Sequence, residues 1–79
     1  MSYKPIDCNL YDVYEAYATL QTLVRIRYRD SDFENVTISK IVTLETRNKE
    51  EYIVLENSLR IRLDTILTCM PHDATVNKI

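Results

Sequence analysis

The spacing of apolar residues changes period early in this chain. From Leu10 to Leu20 it is helical. At about 100° per residue, Leu10, Val13, Tyr14, Tyr17 and Leu20 fall on one side, while Asp12, Glu15 and Thr19 fall on the other. Tyr11 sits at the edge of the acidic side. From Thr22 the period drops to two. In "TLVRIRYRD" Val24, Ile26 and Tyr28 point one way and Arg25, Arg27 and Arg29 the other, which is the pattern of a half-buried strand. "FENVTISKIVTLET" sets Val36 and Ile38 against Thr37 and Ser39 and then runs on into Ile41, Val42 and Leu44. It is long for one strand, so a bend or bulge is expected near Ser39–Lys40. "YIVLE" (Tyr52–Glu56) and "LRIRL" (Leu59–Leu63) are two further strands, the second with Arg60 and Arg62 outward. "DTI" (Asp64–Ile66) reads as a short helical turn, and "LTCM" (Leu67–Met70) as a last strand ended by Pro71.

The connections follow from one compositional fact: glycine is absent. Turns that need positive φ must use Asn or Asp, which tolerate the left-handed region best after Gly. That points to Asp30–Asp32, Asn48 and Asn57–Ser58, with "RNKEE" (Arg47–Glu51) as a charged turn. At the start, Pro5 fixes its own φ and biases Lys4 away from helix, so "YKPID" is extended and Asp7 or Asn9 can cap. The expected architecture is mainly β with one N-terminal helix. The helix covers about 9–20, a β-barrel about 22–70, and a flexible tail 71–79, all within one domain. A bent five-stranded antiparallel sheet manages its edges by closing on itself, which suggests a small Sm-like or SH3-like barrel capped by the helix.

At 79 residues the core is thin, so apolar positions are assigned to packing first. No apolar run is long enough to span a membrane. "MSYKPIDCN" lacks the apolar stretch of a secretory signal, so a reducing, cytoplasmic setting is expected. The net charge of −2 argues against a general nucleic-acid binder. The missing glycines exclude phosphate-cradling loops. Cys8 and Cys69 are far apart and form no CxxC, and the single histidine, His72, has no nucleophile and acid that can be placed around it. Neither catalysis, a metal nor a cofactor is expected.

Two surfaces remain. The arginine stripe could track a phosphate backbone. Alternatively it is a solvated sheet face whose cations pair across strands with Glu34, Glu45 or Glu56, and this second reading is favoured. On the helix, Asp12 and Glu15 could merely complement the positive end of the helix dipole. Yet they are also a like-charged i, i+3 pair, which costs a few tenths of a kcal/mol. With Tyr11 they could instead form an anionic patch with an aromatic rim, suited to a cationic partner. Pattern alone leaves those two readings balanced. Tyr14 and Tyr17 are assigned to the core and Tyr11 to the surface.

"YKPIDCNLYD" (Tyr3–Asp12), "RNKEEYIVLE" (Arg47–Glu56) and "IRLDTI" (Ile61–Ile66) resemble, in order and approximate spacing, the Rho-binding antiterminator family, the Rof-type inhibitors of the transcription terminator Rho. The resemblance runs from about Tyr3 to Met70, and the Y-x-P-I-D-C-x-x-Y-D opening is its most specific part. The chain departs from the family pattern in a longer connection at Thr43–Thr46 and in its tail. The resemblance implies an N-terminal helix on an Sm-like barrel and a cytoplasmic, non-enzymatic inhibitor. Its partner would be the N-terminal OB-type RNA-binding domain of hexameric Rho, whose engagement of RNA it would block. The implied contact residues are Tyr11, Asp12 and Glu15 on the helix and Arg47, Asn48 and Lys49 in the turn. No direct nucleic-acid contact and no small-molecule substrate are implied. The alternative is an Sm-like RNA-binding module that uses Arg25, Arg27 and Arg29; an SH3-like peptide adaptor ranks third.

Overall fold

Asp7 starts the helix. Its side chain accepts a hydrogen bond from the Asn9 N–H at 2.8 Å, and its carbonyl accepts from Leu10 and Tyr11. Helix α1 then runs Cys8–Leu20 and ends at Gln21, whose left-handed φ of 54° performs the closure that glycine usually provides. The structure, a computed structural model, describes residues 4–72. Tyr3 of the opening motif and the expected tail beyond His72 lie outside the described residues.

The packed side of α1 is rotated from the expected one. Tyr14 is buried, and Tyr11, Tyr17 and Ala18 pack half-buried against the core. Leu20 stays 74% exposed, and Leu10 and Val13 are exposed as well. Tyr11, Tyr14 and Ala18 lie within about 60° of one another on the helix, whereas Val13 and Leu20 lie about 100° or more from Tyr14. Rings bury more area than the aliphatic residues, so the contact centres on the tyrosines. Tyr11 therefore belongs in part to the core rather than wholly to the surface.

Five strands follow: β1 (Leu23–Asp30), β2 (Phe33–Arg47), β3 (Glu50–Leu55), β4 (Arg60–Arg62) and β5 (Ile66–Pro71), with a 3₁₀ turn at Leu63–Thr65. Their order in the sheet is β4-β3-β2-β1-β5, and every neighbouring pair is antiparallel. β2 serves both halves. Its first part pairs with β1 from Asp30↔Phe33 to Leu23↔Lys40, and its second part pairs with β3. The register shifts between Ile41 and Thr43, so the bulge falls at Val42, just beyond the expected Ser39–Lys40. Ile41 and Leu44 both contribute to the interior. They are an odd number of residues apart, so regular alternation would send one of them outward. One extra residue restores both.

The sheet does not close into a barrel. No ladder joins β4 to β5; the 3₁₀ turn links them instead. β4 is only three residues long. β5 also slips register against β1 between Arg27 and Tyr28, so it begins opposite Tyr28 and leaves Arg29 and Asp30 without a partner on that edge. A recess of about 320 Å³ fills the gap, with Tyr28, Tyr52 and Thr65 among its walls. The core lies between the sheet and α1. Val24, Ile26, Ile53, Leu55, Ile61 and Leu63 are at most 2% exposed there, as is Tyr14.

Val36 and Ile38 do alternate with Thr37 and Ser39, but the apolar pair faces outward. Thr37 and Ser39 lie opposite the buried Ile26 and Val24, while Val36 and Ile38 lie opposite Arg27 and Arg25 and are about half exposed. The charged turn is also shorter than expected. Arg47, Glu50 and Glu51 belong to strands, and only Asn48 and Lys49 form the turn, with φ of 50° and 66°. Two successive positive φ values mark the type I′ hairpin that favours Asn-Gly.

Lys49 in the left-handed region carries a steric cost of about 1–2 kcal/mol, which glycine relieves in part. Lys49→Gly is expected to raise the urea unfolding free energy by about 0.5–1 kcal/mol. Burial raises the Tyr14 hydroxyl from 10.0 to about 12 and the Cys69 thiol from 9.0 to about 11. In both cases the fold favours the neutral form. The associated stability is complete below the unfolded values and is lost as pH rises toward the folded ones. Urea midpoints should therefore fall progressively above about pH 9, and Tyr14→Phe should make that decline shallower.

Candidate functional site

Because Asp7 caps the helix and Cys8 is its first residue, Asp12 stands in the second turn. The dipole effect fades within the first turn, so it does not account for Asp12, and still less for Glu15. Both carboxylates are exposed, and neither forms an ion pair among the described residues. Tyr11 lies one turn before Glu15, its ring against the core. Its hydroxyl pKa is raised, first by burial and then by the charges of Glu15 and Glu51.

Glu51 is the residue that pattern reading missed. It stands two positions before the buried Ile53, so it shares the helix-facing side of β3, opposite Thr46 on β2. The signal was present: extending the alternation of "YIVLE" backward by one residue places Glu51 with Ile53 and Leu55. Assigning "RNKEE" wholly to a turn hid it. A groove of about 410 Å³ runs between the N-terminal segment, α1 and β3. Pro5 and Ile6 form its apolar wall, and Asp12, Glu15 and Glu51 supply carboxylates around Tyr11. The Lys4 backbone N–H donates to Asp64 Oδ2 at 3.2 Å, which ties the N-terminal segment to the 3₁₀ turn. On the far side of Tyr11 and Glu15 a second recess, about 260 Å³, is floored by Val42, Thr43 and Leu44 at the bulge.

Three carboxylates, a tyrosine ring and an apolar wall can receive an arginine or lysine side chain, with the stem on the wall and the cation among the oxygens. The residues of the charged turn do not all join this site. Arg47 Nε pairs with Glu45 Oε1 at 3.0 Å on the opposite sheet face, beside Arg60, whose Nε reaches the same oxygen at 2.9 Å. Asn48 and Lys49 are exposed at the hairpin tip. The fold thus gathers Tyr11, Asp12 and Glu15 with Glu51 and directs Arg47 elsewhere.

The cross-strand pairing expected of the arginines is partly present. Glu34 meets Arg27 at 3.3 Å and Arg29 at 3.7 Å. Arg62 uses Asp64 at 2.6 Å and Glu50 at 3.5 Å. Glu56 forms no ion pair among the described residues, and neither does Arg25. The exposed pairs of Arg27 and Arg29 contribute about 0–1 kcal/mol each, so they set charge balance more than stability.

Cys8 is exposed beside the groove, whereas Cys69 is half-buried. The His72 backbone N–H donates to the Leu23 carbonyl at 2.8 Å. Among the described residues no three His, Cys, Asp or Glu side chains are grouped to hold a metal ion, and no helix is long and apolar enough to cross a membrane. Comparison with protein-family models, with curated proteins and with solved structures finds no match for this chain.

If Glu51 faces Tyr11 as described, Glu51→Gln will lower the Tyr11 hydroxyl pKa, since removing a nearby anion favours the phenolate. The remaining elevation reflects burial and Glu15. Titration of ¹³C-labelled tyrosine by NMR reads this directly, and an unmoved Tyr11 resonance would separate Glu51 from the site.

Proposed function

We propose that this chain is a cytoplasmic, non-enzymatic inhibitor of the transcription terminator Rho. It binds Rho's N-terminal RNA-binding domain and keeps RNA from engaging. One observation carries the reading. The Tyr11–Asp12 end of the family-like opening stands, together with Glu15 and Glu51, on the wall of a groove with three carboxylates that the helix dipole does not explain. A site built to hold RNA phosphates is basic. An acidic, aromatic-rimmed face is complementary to it, which speeds encounter and fixes register.

The finer fold assignment belongs to the same proposal. A helix ahead of the sheet, a strongly bent β2 shared by two half-sheets, and a 3₁₀ turn between β4 and β5 support the Sm-like reading over the SH3-like one. In binding, Asp12, Glu15 and Glu51 would take cationic side chains of Rho, with Tyr11 as the apolar rim. Asn48 and Lys49, at the tip of the β2–β3 hairpin, would touch polar or acidic groups alongside. Arg47, held by Glu45, would contribute least of the turn residues.

Two measurements test this. Titrating the protein into Rho bound to a labelled C-rich RNA should displace the RNA at modest salt; retained RNA and no complex would refute the proposal. Asp12→Arg with Glu15→Arg places cations at exposed positions, so the fold should survive. Affinity for Rho should fall by about a hundredfold or more, because attraction becomes repulsion at two contacts. Binding equal to wild type would make the helix face a bystander.

A further inference from the structure

The outer face of the β1–β2–β5 half-sheet, on the side of the sheet away from α1, differs from the rest of the outer surface in two ways. The first is charge. On the β3–β4 half, Arg47, Arg60 and Arg62 are matched by Glu45, Glu50 and Asp64. On the β1 half, Arg27 and Arg29 share a single carboxylate, Glu34, and Arg25 has no ion pair among the described residues. That sharing is poor. Arg27 Nε lies 3.3 Å from Glu34 Oε1 yet is shielded from water with no aligned hydrogen bond.

The second difference is apolar exposure. Arg25 lies opposite Ile38 on β2 and opposite Met70 on β5. Ile38 is 47% exposed, Met70 48%, and neighbouring Val36 50%. An arginine with no acidic partner among the described residues is thus flanked on both sides by half-exposed apolar side chains.

We propose that this face is a second docking surface, and that its occupant is an acidic segment of a partner protein presenting a carboxylate between aliphatic side chains. The carboxylate meets Arg25, and the aliphatic groups cover Ile38 and Met70. Arginine and methionine are the residues that interfaces enrich, and a desolvated charge pair surrounded by apolar contacts excludes water as binding sites do. Single-stranded nucleic acid fits less well, because bases need aromatic platforms, and the residues here are aliphatic. A second copy presenting its own acidic helix would join unlike surfaces, a contact that closes only where the rotation between copies permits. The inference stands apart from the Rho proposal, since none of its residues lies on α1 or in the groove.

The test uses the full chain and a fluorescein-labelled synthetic peptide of repeating Asp-Leu-Glu-Leu, read by fluorescence anisotropy. Saturable binding is expected, with none to a control peptide carrying Lys at each acidic position. Arg25→Glu should weaken it by about tenfold or more. Ile38→Ser and, independently, Met70→Ser should each weaken it by about threefold to tenfold, while Val13→Ser on the helix should leave it unchanged. Circular dichroism confirms folding, and either serine variant suffices if the other is unstable. Absence of saturable binding overturns the proposal, as does binding indifferent to both serine variants. C-rich RNA or phosphatidylglycerol vesicles that bind in an Arg25-dependent manner while the peptide does not would reassign the face to phosphate. Salt-sensitive self-association in sedimentation velocity, lost in Arg25→Glu, would reassign it to a second copy.

Discussion

Ile41 and Leu44 must both face the interior although they are an odd number of residues apart, and a regular strand cannot arrange this. The extra residue at Val42 resolves the conflict, and much of the molecule depends on it. It lets one 15-residue strand pair with β1 on one side and β3 on the other, because the twist and bend added at a bulge turn the two ladders against each other. The resulting concavity is what α1 fills with Tyr14. It also brings the bulged segment beneath Ala18 and Thr19, so that Glu15 and Tyr11 overlook a recess instead of resting flat on the sheet. Remove the extra residue and either Ile41 or Leu44 turns outward, and the support for the helix goes with it.

The same geometry sorts charge. A net charge of −2 suggests a weakly acidic, nearly even surface. The fold instead concentrates carboxylates where α1 meets β3, balances the β3–β4 exterior almost ion for ion, and leaves the β1 exterior cationic. The helical period places Asp12 and Glu15, and strand alternation sorts the rest. Glu51 and Glu50 are adjacent in sequence and lie on opposite sides of β3, one beside Tyr11 and the other bonded to the Tyr52 hydroxyl at 2.8 Å. A molecule polarised across its sheet has two electrostatically distinct ways to meet partners, one on each side.

Much of this was legible in the sequence. The helix, all five strands, the 3₁₀ turn and the places of the tight connections follow from periodicity, but among the described residues only Asn48 is the Asn or Asp expected at positive φ, while Gln21, Ser31, Lys49 and Ser58 hold the other such positions. Tyr14 as the buried ring and the exposure of Asp12 and Glu15 follow as well. What periodicity could not settle was phase and closure. It divides Val36 and Ile38 from Thr37 and Ser39 but cannot tell which pair faces in, because the answer depends on register with β1. It shifts the helix face by a fraction of a turn, since it weighs Leu10 and Leu20 equally with tyrosines whose rings reach farther. It counts five strands but cannot see that β4 is too short to pair with β5. Glu51 was missed for a different reason: a cluster of charged residues looks like a loop, although here the strand simply continues through it.

Four strands pair with their neighbours in sequence, but β5 crosses back to join β1, so residues 66–71 lie beside residues 24–28. This has a consequence for the order in which the molecule assembles. The hairpins from β1 through β4 close short loops, each at small entropic cost. The β1–β5 ladder must wait until the whole intervening chain is in place, because a long loop cannot be closed cheaply before the hairpins shorten it. Loop length alone thus places the β1–β5 ladder after the hairpins. Departure of β5 would bare the edge of β1 and one side of Ile26 at the centre of the core. An open seam thus lies beside the ladder whose partners are farthest apart in sequence.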